Sequence, residues 1–407
     1  MENRYDKYKD SGIAWIGEIP EHWKVKKGKN LFKKEERPVR DNDEIVTCFR
    51  DGEVTLRSNR RIDGFTNAMK EVGYQGVRRG DLVIHNMDAF AGAIGVSDSD
   101  GKSTPVYSVC TPKNNVEANV YYYAYLLRSY ALGGVIQSLA KGIRERSTDF
   151  RYKEFGDLYY QQPPIEEQQS IASYLDQKCG EIDELITLQE EMITKLQSYK
   201  QSVITEAVTK GLDKNVPLKD SGIEWIGEIP EHWSVVKIKY LAKIKSGDSI
   251  SSNEIMQEGI YEVYGGNGLM GFCNKKNVDG VNIIIGRVGA LCGNVRLISE
   301  SKFITDNALI LNCFDNALYS YMYIMLKAAN LNNLNTSNAQ PLITGSKVLN
   351  VSLPIPPLSE QQSIADYLDQ KCSEIDELIS IKQQKIEKLK DYKKSLIFEC
   401  VTGKRKV

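Results

Sequence analysis

Apolar residues recur at three- and four-residue intervals along two long stretches of the chain. In the first, Ile171, Leu175, Ile182, Leu185, Met192, Leu196, Tyr199 and Val203 keep this spacing. In the second, Ile364, Leu368, Ile375, Leu378, Leu389, Tyr392 and Leu396 do the same. The spacing lines one face of a helix and predicts a coiled-coil seam. Lys178, Gln189, Lys371, Lys382 and Lys385 interrupt it with polar groups, which cost stability and can fix register. Pro163–Pro164 and Pro356–Pro357 bar any earlier helical turn. Ser359 with Gln362 fits a capping box, and Gly211 and Gly403 stand where C-terminal caps fall. A helix over 165–210 would span roughly 69 Å at about 1.5 Å per residue. Helices this polar are marginal alone, so the two are expected to pair with each other, antiparallel.

The helical stretches belong to a larger repeat. KDSGIAWIGEIPEHW at 9–23 recurs as KDSGIEWIGEIPEHW at 219–233, an offset of 210. PPIEEQQSIASYLDQKCGEIDELI at 163–186 recurs as PPLSEQQSIADYLDQKCSEIDELI at 356–379, an offset of 193. Between these shared segments lie two longer stretches with no similarity that aligns by eye. Four segments follow: 1–162, a helix at 163–215, 216–355 and a second helix at 356–407. The divergent stretches read as mixed α/β. Strands are expected at Ile45–Phe49, Leu82–His85, Val106–Cys110, Asn282–Ile285, Val295–Ile298 and Ala308–Asn312, and helices at Tyr121–Leu132 and Leu318–Ala329. The fold class is α+β: two mixed α/β domains, each followed by a long helix, with internal pseudo-two-fold symmetry. All four Trp (Trp15, Trp23, Trp225 and Trp233) lie in the first shared segment. They read as packing anchors walled by Ile16, Ile19 and Pro20.

Composition narrows the class. The 407 residues carry 53 Lys+Arg against 54 Asp+Glu, so the chain does not coat nucleic acid indiscriminately. The central helix region, 163–215, is the acidic part, with 5 basic and 10 acidic residues. Local basic clusters stand elsewhere, at Arg57, Arg60 and Arg61, at Lys141, Arg144 and Arg146, and more thinly at Lys275, Lys276, Arg287 and Arg296. No run of about 18 apolar residues exists, so no membrane span is expected. The first residues hold no apolar secretory core, and the eight scattered Cys read as reduced thiols in a cytoplasmic protein.

The usual signatures of catalysis are missing. There is no phosphate-cradling G-x-x-x-x-G-K-[ST]. No CxxC pair occurs and there are three His, so no metal site is expected. The prolines at 163–164 and 356–357 are not followed by Tyr or Phe, as an amino-methyltransferase loop would require. His85, the one His outside the repeated segments, reads as structural rather than as a base.

The architecture resembles the DNA-specificity subunits of type I restriction–modification enzymes, HsdS, over essentially the whole length. W-I-G-E-I-P-E-H-W at 15–23 and 225–233 carries the resemblance, with P-P-x-x-E-Q-Q-x-I at 163–171 and 356–364. RRGDLVIHNMDAFAGAIGVSDSDG at 78–101 and YEVYGGNGLMGF at 261–272 add to it. The resemblance implies a non-catalytic subunit. Each divergent domain would be a target-recognition domain reading one half of a split site in double-stranded DNA. The helices would set the spacing and dock two methyltransferase subunits, with restriction subunits left open as further partners. No cofactor is expected in this chain; S-adenosylmethionine, ATP and magnesium would belong to partner subunits. Arg, Lys, Asn and Gln on loops are the natural donors to base edges. By that rule the candidates are Arg57, Asn59, Arg60, Arg61, Asn86, Arg144 and Arg146 in the first domain. In the second they are Ser246, Asn267, Lys275, Lys276, Arg287, Asn338 and Gln340. Two rival readings stand beside this one: an enzyme of duplicated lobes, and a coiled-coil scaffold. The first predicts matching catalytic residues in both divergent stretches, and none is found. The second leaves unexplained why these stretches diverge between nearly identical flanks.

Overall fold

The computed structural model describes residues 4–60, 72–139, 149–289, 291–335 and 341–407. Its contacts divide the chain into two compact units, Met1–Gln189 with Gln384–Val407, and Glu190–Gln383. Both boundaries fall inside the long helices, Ile165–Lys210 and Leu358–Val401. Each unit therefore holds one α/β domain and half of each helix.

In the first unit, strands β1 (Phe32–Lys34), β2 (Leu82–His85), β3 (Ile94–Val96) and β4 (Tyr107–Pro112) form an antiparallel sheet in the order β1-β4-β2-β3. Alternation sorts its side chains. Leu82, Ile84 and Cys110 face the main core, while Val83 and Val109 face a smaller cluster with Val46 and Val77. Helix α1 (Val120–Leu132) covers the main face with Tyr122, Tyr123, Leu126, Leu127 and Tyr130. Asn119 caps it, its side chain accepting from the N–H groups of Tyr121 and Tyr122.

The second unit repeats this frame with unrelated residues. Strands β5 (Ala242–Ser246), β6 (Asn282–Gly286), β7 (Val295–Ile298) and β8 (Ala308–Cys313) take the matching order β5-β8-β6-β7. Helix α2 (Tyr319–Ala328) buries Tyr321, Met322, Met325 and Leu326 against them. A three-stranded sheet, Tyr261–Gly265, Gly268–Cys273 and Phe303–Ile304, is added beside the frame.

The repeated segments fasten each domain to its helices. Each opens with a hairpin, Tyr8–Asp10 with Glu18–Pro20 and Leu218–Asp220 with Glu228–Pro230. The strand after the second Trp then pairs with the strand before the Pro-Pro step: Lys24–Lys27 with Tyr159–Gln162, and Ser234–Lys237 with Ser352–Ile355. The two ends of each divergent stretch are thereby zipped together. Trp23 and Trp233 are buried, as anchors should be. Trp15 and Trp225 are not; they remain 39% and 41% exposed, because they sit in the hairpin turns rather than beneath them.

Within the first unit the helix halves run antiparallel. Asp183 pairs with Lys393 at 2.6 Å, and Tyr174, nearer the start of its helix, lies beside Arg405. The observed seam keeps a strict four-three alternation: Leu175, Cys179, Ile182, Ile186, Gln189 and onward, with Leu368, Cys372, Ile375, Ile379, Lys382 and onward on the other helix. Ile171, Leu175, Ile182, Ile364, Leu368 and Ile375 are buried, and Leu196 and Leu389 are partly so. Leu185 and Leu378 depart from expectation. They are 42% and 47% exposed, since after a three-residue step the heptad needs a four-residue step, which selects Ile186 and Ile379; Met192, Tyr199 and Tyr392 are off the seam and exposed as well. Ser359 is also no cap, because it lies inside the first turn of a helix that starts at Leu358. Gln168 and Gln361 tie these helix starts down instead. Their side chains accept from the N–H groups of Asn119 and Leu318 and donate to the carbonyls of Pro163 and Pro356. None of the described helices is long and apolar enough to cross a membrane.

Candidate nucleic-acid interface

The end of the second sheet strand is the same construction in both units. After β2, the N–H of Asn86 donates to the Val106 carbonyl, and its own carbonyl accepts from the N–H of Phe150. After β6, Arg287 donates to Asn307 and accepts from Ile343. The backbone thus offers one matched position and the sequence fills it differently, with an amide in one unit and a guanidinium in the other. The Asn86 Oδ1 accepts from Ser108 Oγ at 2.8 Å, a buried bond that fixes the amide. The Arg287 Nη1 donates weakly to Ser246 Oγ at 3.4 Å, and its buried Nε has no partner among the described residues.

Two clefts flank the strand end in the first unit. One, of about 710 Å³, is lined by Arg50, Arg57, Arg60, His85, Asp88 and Tyr107 among others. The other, of about 550 Å³, is lined by Lys34, Asn86, Ser108, Arg151, Tyr152 and Lys153 among others. Local structure holds the cations in place. Arg57 and Asn59 form a short 3-10 turn after Leu56. The Arg57 Nε donates to Thr47 Oγ1 at 3.3 Å and the Asn59 amide to Thr55 Oγ1 at 2.9 Å. Arg60 stacks on the Phe49 ring at 4.3 Å and pairs with Asp51 and Glu53. Burial pushes the Asp51 carboxyl up, but the bond from Arg60 and other contacts outweigh it and hold the group below its usual range. Arg50 pairs with Asp88 at 2.8 Å.

In the second unit, the Arg296 Nη2 donates to the Asn267 carbonyl at 2.8 Å, which holds the Gly265–Gly268 turn beside β7. A Cβ on Gly286 would lie 2.5 Å from the Gly266 carbonyl oxygen, so this turn closes over the strand end. Ser246, Asn267 and Arg287 therefore gather at one end of the sheet. Lys275 and Lys276 are engaged elsewhere, with Glu254 at 2.7 Å and Asp279 at 2.5 Å. The bond from Lys275 pushes the Glu254 carboxyl down to about 2. Arg61, Arg144, Arg146, Asn338 and Gln340 lie outside the described residues.

Arg50, Lys34, Arg151 and Lys153 escaped the sequence reading, as basic residues scattered over a turn, a strand end and the start of a short helix with no shared spacing to mark them. So did the clamp in each shared segment. Glu167 accepts from the Trp23 Nε1 at 2.9 Å, contacts the His22 Nε2 at 2.6 Å and accepts from the Tyr5 hydroxyl at 2.9 Å. Glu360 meets Trp233 and His232 at 3.0 and 2.7 Å. Its signal was present: each repeat holds His-Trp in one shared segment and an identical Glu, three residues after Pro-Pro, in the other. Among the described residues, no group of three or more His, Cys, Asp and Glu is placed to hold a metal. The clefts instead gather N–H donors, which suit anionic or acceptor-rich partners.

The two units thus share one sheet frame whose strand ends carry different donors, and each unit holds paired helix halves. Residues 230–391 match the type I restriction modification DNA specificity domain. The putative type I restriction enzyme MjaX specificity subunit of Methanocaldococcus jannaschii is 27% identical over 435 residues, covering 96% of each chain. The type I restriction enzyme EcoprrI specificity subunit of Escherichia coli is 33% identical over 133 residues, 32% of this chain and 33% of that one. Two solved structures share the fold. One comes from work on complex assembly and conformational transition of the type I R-M system, with TM-score 0.73 and 18% identity over 94% of this chain and 98% of that one. The other is the HsdS subunit from Thermoanaerobacter tengcongensis, with TM-score 0.56 and 17% identity over 95% and 98%. The chain is thus similar to type I restriction–modification specificity subunits.

Proposed function

We propose that this chain is the non-catalytic, sequence-reading subunit of a type I restriction–modification enzyme in the cytoplasm, and that each α/β domain reads one half of a bipartite site in double-stranded DNA. The observation that carries this is the matched strand end, Asn86 in one domain and Arg287 in the other. One frame with two different donors is what reading two different half-sites requires. Amide side chains match adenine edges and guanidinium groups match guanine edges. The remaining candidates, from Arg57 to Lys276, would contribute base or phosphate contacts around these two points. The paired helices would act as the spacer. A 46-residue helix is roughly 69 Å long, enough to separate two readers by more than one turn of duplex at about 34–36 Å.

The helices would also dock partners. In the first unit Leu185 and Leu188 are exposed beside the seam, and in the second Leu378 and Ile381 are. Apolar residues at matching places in a repeat suit two copies of one partner, here methyltransferase subunits. S-adenosylmethionine, ATP and magnesium would then be bound by the partner subunits, with restriction subunits completing the nuclease.

The test is domain exchange. The full chain is assembled with its modification subunits, and residues 24–162 are replaced by the corresponding segment of another specificity subunit. Mapping of methylated adenines should show one half-site changed, the other half-site retained and the spacer unaltered. Change in both halves, or in neither, would refute the assignment of one half-site to each domain.

A further inference from the structure

The two units part most sharply at the last residue of the second sheet strand. Gly286 ends β6, and the Gly265–Gly268 turn closes over it. His85 ends β2, and its ring lines the cleft that also holds Arg50, Arg57 and Arg60. Two contacts hold that ring. Its Nδ1 accepts from the backbone N–H of Asp88 at 3.0 Å. Its edge meets the Tyr107 ring at 86°, with centroids 4.6 Å apart. Burial lowers the His85 pKa, against the opposing pull of Asp88, which favours the neutral ring. A neutral imidazole whose Nδ1 accepts carries its proton on Nε2. That Nε2–H has no partner among the described residues, and the side chain stays 17% exposed. The cleft therefore presents one uncharged, oriented N–H donor among guanidinium groups.

We propose that His85 is a specificity-determining residue of the first recognition domain, donating from Nε2 to an acceptor on a base edge. This rests on the DNA-reading function proposed above. The arginines around it serve phosphate and base alike, because their charge attracts any anion. A neutral N–H gains less from a phosphate than a guanidinium does, and it separates acceptors from donors. In the major groove it suits guanine O6 or N7, adenine N7 or thymine O4, and it opposes the amino groups of cytosine N4 and adenine N6. The second domain has no counterpart, since Gly286 leaves no room for one.

The experiment uses the full chain assembled with its modification subunits and maps every methylated site. His85→Phe keeps an aromatic ring against Tyr107 and removes the donor. His85→Gln keeps an N–H near the Nε2 position, whereas His85→Asn places its amide nearer Nδ1. His85→Phe should relax discrimination about tenfold at one base pair of one half-site, leaving the other half-site unchanged. His85→Gln should retain more of that discrimination than His85→Asn. Should His85→Phe fail to assemble, the Gln–Asn pair gives the same answer. Unchanged discrimination in His85→Phe, or equal behaviour of Gln and Asn, overturns the proposal. So does a uniform loss of affinity across sequences with a shallower salt dependence, which is the mark of a phosphate contact. If the wild-type assembly methylates no bipartite site, the DNA-reading function itself falls, and His85 falls with it.

Discussion

In the second unit, the end of one long helix runs by peptide bonds through Gly211 into the hairpin that begins the domain. In the first unit, the hairpin at 8–20 meets a helix end from the opposite terminus of the chain. Gly403 packs on Pro20 and Trp23, the Tyr8 hydroxyl donates to the Gly403 carbonyl at 3.1 Å, and the Lys404 Nζ donates to the Glu18 carbonyl at 2.6 Å. Tyr5 then adds a bond to Glu167 for which no equivalent stands at Glu360. One junction is covalent, and the other is built from side-chain contacts. A covalent link holds two elements near each other at small entropic cost. Where it is absent, the interface must supply that cost, and the additional contacts are found on that side.

Gly403→Ala should give the largest difference between the junctions. Both caps are left-handed, with φ of +72° at Gly403 and +73° at Gly211, so any Cβ costs about 1 kcal/mol. At Gly211 the added methyl would lie 3.2 Å from the Trp233 ring, a contact that can give. At Gly403 it would lie 2.4 Å from Pro20 Cδ, in a rigid ring, and 3.0 Å from Trp23. Overpacking there adds about 2 kcal/mol. Hydrogen exchange resolved by unit should show Gly403→Ala loosening the first unit by about 3 kcal/mol and Gly211→Ala loosening the second by about 1 kcal/mol. Equal losses would mean that the two junctions are equally rigid.

The clamp carboxylates come next. Glu167→Ala removes three contacts and leaves a buried indole N–H without its acceptor, a cost of about 2–3 kcal/mol. Glu360→Ala removes two contacts and should cost about 1–2 kcal/mol. Acid gives an independent reading. Burial raises the Glu167 pKa, but the bonds from Trp23, His22 and Tyr5 outweigh it, and the folded-state value falls below the usual 4.5. A depressed carboxylate stabilises the fold above its unfolded value and loses that contribution as pH drops through the folded one. The first unit should therefore lose protection as pH falls below about 4.5, and Glu167→Ala should flatten that part of the profile. An unchanged profile would show that the carboxylate charge contributes nothing to the clamp.

The sequence displayed some of this and concealed the rest for physical reasons. The helices were plain because 44 to 46 residues repeat one period many times. The misplaced seam residues came from a local ambiguity: Ile182 is followed by both Leu185 and Ile186, and the alternation of steps across the whole helix selects Ile186. Leu82–His85 and Val295–Ile298 were readable as short apolar runs between turns. The three-residue strands of the hairpins were not, since three residues establish no period. The pairing of Lys24–Lys27 with Tyr159–Gln162 lies beyond any local signal. The shared sheet order was hidden for another reason. A buried strand asks only for apolar residues at alternate places, so two stretches without visible identity can build one frame. At the candidate interface, residue type suggested Arg57, Arg60, Asn86 and Arg287, but the fixed ring of His85 depends on contacts that no spacing reveals.

The smallest effect tests whether the two helix crossings are alike. Asp183–Lys393 in the first unit and Asp376–Lys200 in the second are each 2.6 Å pairs between the long helices. They fall at corresponding places in the repeat, 193 residues apart. Their exposures also match, 28% and 57% for Lys393 and Asp183 against 26% and 59% for Lys200 and Asp376. Pairs this open to water are screened and spend side-chain entropy to form, so each should contribute about 0.5 kcal/mol. Double-mutant cycles with Ala at each residue, read by hydrogen exchange of the helix amides, should give couplings equal within about 0.3 kcal/mol. High salt should reduce both together. The two junctions differ in how the chain is joined, but the helices meet through the same Asp–Lys pair in both halves. A coupling present at one crossing and absent at the other would show that the difference in joining reaches into the helices. The repeat would then be equal in sequence without being equal in energy.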